Sequence, residues 1–158
     1  MRDYADQITW VVVADGEKAL VFQNLDIDAQ PNLHVITEAE IDNPPTRDQG
    51  SARPGRMSAT GARRAAVEDT DWHRQAEDRF AKEFTAKLNK AALDNGFDRI
   101  AIFAPPHVLG EMRVEYHPEL KKRLVGEVDA DLTGHALEEI EARAAKVLAP
   151  QPAPPPNV

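Results

Sequence analysis

Arginine side chains are concentrated in one stretch of this sequence, and arginine is well suited to binding phosphate. Its planar guanidinium group can donate two hydrogen bonds to one anion at the same time. Residues 47–64 contain a single acidic residue, Asp48, and have a net charge of +4, whereas the whole chain has a formal net charge of −8. The arginines of this stretch are Arg47, Arg53, Arg56, Arg63 and Arg64. They predict a contact with RNA or phosphate in a site that includes Gly61; the alternative is a solvated loop without a partner.

A second group of polar residues follows in the motif "DWHRQ", which contains His73, Arg74 and Gln75. We expect this motif to begin a helix, and the free backbone N–H groups of a helix N-terminus favour anions. The three side chains and the arginines could then form one anion-binding site. The alternative is that Trp72 packs in the core while His73 and Gln75 lie at the surface or cap the helix.

The sequence gives little support for a metal site, a cofactor or a nuclease. The chain has no cysteine, and its five histidines show no H-x-x-x-H pair, so neither a metal site nor a cofactor is predicted. A nuclease needs carboxylates that converge at the sheet. Asp129 and Asp131 could approach Asp15 and Glu17, but "EVDAD" fits the polar edge of a strand equally well.

Hydrophobic periodicity predicts the elements that position these residues. Apolar runs over 8–14 and 19–22, separated by an Asp-Gly turn, predict a hairpin, and alternation over 33–41 predicts a third strand with one buried face. Residues 42–70 contain three prolines and three glycines and predict a long mobile loop. The order of elements after this loop is helix, strand, two helices, strand and helix.

The later elements begin with a helix from Trp72, whose apolar residues recur every four positions until Gly96 ends it. A short apolar strand over 100–104 is expected to be central in the sheet. The chain is then one α/β domain over residues 1–149, followed by a disordered, proline-rich tail over 150–158. Its fold class is a mixed sheet that combines an antiparallel three-strand meander with αβ units.

The composition limits where the protein acts. No apolar run reaches the roughly 18 residues of a membrane span, and acidic residues near the N-terminus do not suit a signal peptide. We therefore expect a cytoplasmic protein with no membrane contact. The acidic net charge argues against general coating of nucleic acid, so any RNA contact would be local.

Four blocks in this order resemble the bacterial host attachment protein family: "ADGEKALVF", "DWHRQAEDRFAKEFTAKLN", "FDRIAIFAPPHVLGEMR" and "ADLTGHALEEIEARAA". The resemblance covers residues 8–148. That family is in turn similar to the middle domain of the archaeal and eukaryotic peptide-chain release factors. The resemblance implies an RNase H-like fold, and it places residues 42–70 where those factors carry a loop that enters the peptidyl-transferase centre.

The Gly-Gly-Gln motif of that loop is not intact in this chain. Gly61 matches its first glycine, but Ala62 and Arg63 stand where the second glycine and the glutamine are expected. Guanidinium donates hydrogen bonds and does not accept them, so Arg63 cannot copy the glutamine amide. Enzymatic peptide release is therefore not predicted.

The sequence predicts a cytoplasmic RNA- or ribosome-associated protein that binds the ribosome, tRNA or rRNA through its arginines. Its effect on attachment to host cells would be indirect. One alternative is a non-catalytic interaction or regulatory module whose loop becomes ordered on an acidic protein partner. A further alternative is a hydrolase that acts on an ester or phosphodiester bond. The oligomeric state stays open.

Overall fold

The computed structural model describes residues 7–25, 31–41 and 59–148, and for 59–70 the description concerns the backbone. The predicted tail over 150–158 lies outside these residues. The strands are β1 (Thr9–Ala14), β2 (Lys18–Asn24), β3 (Leu33–Glu40), β4 (Arg99–Ala104) and β5 (Leu124–Asp129). The helices are α1 (Ala59–Leu93), α2 (Pro106–Glu115), α3 (Pro118–Arg123) and α4 (Leu137–Leu148).

The five strands form one mixed sheet in the order β3-β2-β1-β4-β5. β2 pairs antiparallel with both β1 and β3, which makes the predicted meander, while β4 pairs parallel with both β1 and β5. Val12 lies opposite Val21 on one side and Ile102 on the other. The predicted α/β fold class is confirmed.

β1 and β4 are buried on both faces because helices cover each side of the sheet. Val12 and Ile102 face the core formed with α1, α2 and α3, whereas Val13 and Phe103 face the core formed with α4. Full burial of each such side chain contributes about 1.5–3 kcal/mol. This burial accounts for the nearly continuous apolar sequence of both strands.

The edge strand β3 differs from the prediction of one buried face. Leu33 is buried, but the side chains of Val35 and Ile36 are 50% and 43% exposed. β3 lies at the margin of the sheet, and its register with β2 shifts between Val21 and Phe22. A register shift interrupts the alternation of side chains between the two faces.

α1 begins at Ala59, so the prediction of a loop through residue 70 is wrong over 59–70. The segment "ATGARRAA" consists mostly of alanine and arginine, which are strong helix formers, and one glycine costs only about 1 kcal/mol in a helix. The remainder of the predicted loop, 42–58, lies outside the described residues. With 35 residues, α1 is about 52 Å long.

The other end of α1 also differs in detail. Asn95 has a φ of 58°, so Asn95 rather than Gly96 takes the left-handed conformation that ends the helix. The N–H of Gly96 donates to the Ala91 carbonyl at 2.7 Å. None of the helices in the described ranges combines the length and apolarity needed to cross a bilayer.

Candidate functional site

The turn after β1 and the first turn of α2 after β4 lie at one edge of the sheet, because β1 and β4 are parallel. In open α/β sheets, ligands bind at the carboxyl ends of such strands. We call this region the carboxyl edge. It consists of the turn 15–17, residues 73–78 of α1 and residues 107–111 of α2.

The turn 15–17 is held by the Asp15 side chain and by one backbone hydrogen bond. Asp15 Oδ1 accepts hydrogen bonds from the N–H groups of Glu17 and Lys18, both at 2.7 Å. The N–H of Asp15 donates to the Lys18 carbonyl at 2.9 Å. This Asx-type turn fixes the direction in which the Glu17 side chain leaves the sheet.

The first histidine cluster consists of Glu17, His73 and Glu77. His73 Nε2 lies 2.7 Å from Glu17 Oε1 and 3.1 Å from Glu77 Oε1. His73 and Glu77 are one helical turn apart on α1, so their side chains share a face of the helix. The three side chains are between 28% and 56% exposed, which leaves the cluster open to solvent.

The second histidine cluster consists of Asp78, His107 and Glu111. His107 Nε2 lies 2.8 Å from Asp78 Oδ1, and Glu111 follows His107 by one turn of α2. One ligand atom from each of the three residues lies within 4.8 Å of the others. Glu77 and Asp78 are consecutive, so α1 contributes one carboxylate to each cluster.

The carboxylates of the nuclease hypothesis do not form one set in the described residues. Thr133 Oγ1 lies 2.9 Å from Asp15 Oδ2 and 2.7 Å from Asp131 Oδ1, so it joins the hairpin to the loop after β5. Glu17 instead contacts His73, and Asp129 is exposed at the end of β5.

The model of bacterial archaeo-eukaryotic release factor family 12 matches residues 8–143. The chain belongs to this family. The release-factor part of the predicted resemblance is confirmed, while the host attachment family is not the one that matches. None of the curated proteins matches the chain.

Among solved structures, the crystal structure of archaeal translation termination factor aRF1 is similar to this family member, with a TM-score of 0.49 and 15% sequence identity. The similarity covers 88% of this chain and 34% of that chain. This release-factor family member thus spans about a third of the length of aRF1.

Only some of the predicted site residues of this family member lie in the described structure. Gly61, Arg63 and Arg64 lie in the first two turns of α1, whereas Arg53 and Arg56 lie outside the described residues. Phosphate binding by these arginines stays a prediction.

The expectation of a helix N-terminus at "DWHRQ" is wrong, because α1 begins at Ala59 and the motif lies well inside it. Backbone N–H groups at that depth are occupied within the helix. Arg74 and Gln75 are exposed, and His73 faces two carboxylates. Trp72 is 37% exposed and so is not a core residue.

Sequence reasoning missed both histidine clusters. The pattern considered was a pair of histidines, whereas the signal is H-x-x-x-E, which occurs at His73/Glu77, at His107/Glu111 and also at His135/Glu139. Helical spacing could have revealed these pairs. Glu17 could not have been found in this way, because it lies 56 residues from His73 in the chain.

Proposed function

We propose that this release-factor family member is a cytoplasmic, ribosome-associated protein and that residues 47–64 contact ribosomal RNA or tRNA. Membership in the release-factor family over residues 8–143 carries the proposal. Release factors act at the ribosome, and the segment 47–64 precedes the packed part of α1. The effect on host attachment implied by the sequence resemblance would be an indirect consequence of this association.

The charge distribution along α1 supports an RNA contact at its N-terminal end. The first turn of α1 contains no acidic residue, and Arg63 and Arg64 follow shortly after it. Their positive charge adds to the partial positive charge of the helix N-terminus, which favours phosphate. About 14 Å of helix separates Arg64 from His73, so Arg63 and Arg64 lie more than two helical turns from the acidic carboxyl edge.

The proposal concerns binding without peptide release. By the sequence resemblance, Gly61, Ala62 and Arg63 stand where the Gly-Gly-Gln motif is expected, and their backbone is helical. A glutamine amide both donates and accepts hydrogen bonds, whereas guanidinium only donates. A binding role therefore fits these residues better than hydrolysis of peptidyl-tRNA.

Co-sedimentation with ribosomes across a salt series tests the proposal. The variant changes Arg53, Arg56, Arg63 and Arg64 to alanine. The matched control removes the same charge from four exposed positions elsewhere: Arg79, Lys82, Lys87 and Lys121. We expect the wild type and the control to sediment with ribosomes at low salt and the variant to lose this association.

The salt dependence gives a second readout. Each phosphate contact to single-stranded RNA contributes about −0.7 to the slope of log K against log salt, so four lost contacts would reduce the slope by about 3. Equal loss in the variant and the control would show that net charge alone matters and would contradict the proposal. If the wild type does not sediment either, the proposal is wrong and an acidic protein partner becomes the better hypothesis.

A further inference from the structure

The first histidine cluster has the donor set of a metal site. Both of its carboxylates approach the same imidazole nitrogen, since His73 Nε2 lies 2.7 Å from Glu17 Oε1 and 3.1 Å from Glu77 Oε1. A single N–H group on this nitrogen cannot donate a good hydrogen bond to both carboxylates at once, and the two carboxylates also repel each other. We infer that Glu17, His73 and Glu77 bind one divalent transition-metal ion, namely Zn²⁺, in the place that this proton occupies.

The distances are close to those of a coordinated ion. Zinc binds histidine nitrogen and carboxylate oxygen at about 2.0–2.2 Å, so two ligands at a tetrahedral angle lie roughly 3.3 Å apart. The three ligand atoms of the cluster lie within 4.8 Å of one another. Small movements of the side-chain ends therefore suffice to admit the ion, and three protein ligands leave a fourth position for water.

The charge of the cluster matches a divalent cation. Two carboxylates and a neutral imidazole carry a net charge of −2. Among the described side chains, neither Glu17 nor Glu77 has a lysine or arginine within the 4.0 Å of a salt bridge. A cation would therefore neutralise two carboxylates that have no lysine or arginine beside them among the described residues.

Gly16 shows how closely the turn and the helix approach each other. No described glycine has a positive φ, so the backbone conformation of Gly16 does not require glycine. A Cβ atom at this position would lie 2.6 Å from Glu77 Oε2. The glycine thus leaves room for the third ligand, and its replacement by alanine would displace that carboxylate.

The donor set also selects among metals. Imidazole nitrogen suits zinc and its neighbours in the first transition row, whereas Mg²⁺ prefers oxygen ligands in near-ideal octahedral geometry. A bound Zn²⁺ would join the β1–β2 hairpin to α1 and fix the direction in which the helix leaves the sheet. This inference does not depend on ribosome association.

Calorimetric titration of the full chain with ZnCl₂, after removal of metal by a chelator, tests the site. We expect Zn²⁺ to bind the wild type, and Mg²⁺ at the same concentration to leave that binding unchanged. His73→Ala and Glu17→Gln should each reduce the affinity at least about tenfold, since loss of even an outer-shell partner reduces metal affinity 10- to 100-fold. Glu17 is an exposed turn residue, so Glu17→Gln keeps the test valid if His73→Ala does not fold.

His135→Ala is the matched control. His135 Nδ1 lies 2.8 Å from Glu139 Oε2 at the same helical spacing as His73 and Glu77, but no third ligand completes a set there among the described residues. The affinity of the His135→Ala variant for Zn²⁺ should equal that of the wild type. The inference is wrong if the wild type does not bind Zn²⁺, if His73→Ala binds it equally well, or if His107→Ala alone abolishes binding.

Discussion

The first histidine cluster and the region around Arg123 both bring charged side chains together, but they differ in how the charges are balanced. Arg123 donates to the Phe97 carbonyl at 2.6 Å and to Asn95 Oδ1 at 3.0 Å, and it lies 3.5 Å from Glu119 Oε2. Lys122 contacts Glu119 as well, and its hydrogen bond lowers the pKa of that carboxyl. We call these residues the arginine clasp.

The clasp pairs the Glu119 carboxylate with two permanent cations and connects α3 to the loop that follows α1, although Arg123 Nε is buried without a hydrogen-bond partner among the described residues. The histidine cluster has two carboxylates and one titratable base, with no permanent cation among the described residues. The comparison teaches that the balance of charge, rather than the number of charged groups, distinguishes a structural network from a candidate binding site.

Breaking the clasp should have the largest effect on stability. We expect Arg123→Ala to lower the free energy of unfolding by about 2–4 kcal/mol, because the Arg123 side chain is 17% exposed and its loss leaves the Phe97 carbonyl without this donor. Lys122→Ala, at a side chain that is 70% exposed, should cost less than about 1 kcal/mol. Urea denaturation of both variants measures this difference, and equal losses would contradict a structural role for the clasp.

Tyr116 makes the free energy of unfolding depend on pH in the alkaline range. Burial raises the pKa of the Tyr116 phenol, and the nearby Glu127 carboxylate raises it further. The folded state therefore retains the phenolic proton above pH 10, where the unfolded chain begins to lose it. The resulting stability is fully present below pH 10 and is lost as the pH rises further.

Tyr116→Phe tests this pH dependence. The variant should lose about 1 kcal/mol at pH 8, because the hydrogen bond from Tyr116 Oη to Glu127 Oε2 at 3.0 Å is absent. It should then lose less additional stability than the wild type between pH 10 and 11. Unfolding curves at both pH values provide the measurement, and parallel losses in the two proteins would refute the assignment.

His73→Ala should have a smaller effect in the absence of metal. The pair with Glu17 is exposed, and exposed ion pairs contribute about 0–1 kcal/mol. Thermal unfolding with and without ZnCl₂ should therefore separate the two proteins only when the metal is present. A large loss in metal-free buffer would show that the cluster is a structural network like the clasp.

Gly16→Ala should have the smallest effect on the fold, a few tenths of a kcal/mol, because the Cβ atom would meet only the mobile end of the Glu77 side chain. It should nevertheless weaken Zn²⁺ binding by displacing a ligand. Gly134→Ala is the control, since nothing lies within 4 Å of a Cβ atom there. Equal Zn²⁺ affinities for the two variants would show that Glu77 is not a ligand.

Local sequence signals predicted most of the fold. The uninterrupted apolar residues of β1 and β4 report burial that each strand experiences on its own, and the Asp-Gly pair predicts the turn after β1. The start of α1 was missed because prolines and glycines within 42–61 suggested a loop, whereas the alanines and arginines that follow Ser58 favour helix. The prediction therefore placed the start of this helix at Trp72, later in the chain than Ala59.

The sequence by itself determined the order of strands and helices along the chain, the central position of β4, and the helical spacing that pairs His73 with Glu77. These features depend on residues that are near each other in the chain. Only the tertiary structure decided that Glu17 reaches His73, because that contact requires the parallel pairing of β1 with β4 and the packing of α1 across the sheet. Side chains distant in sequence converge through backbone pairing, which no local pattern encodes.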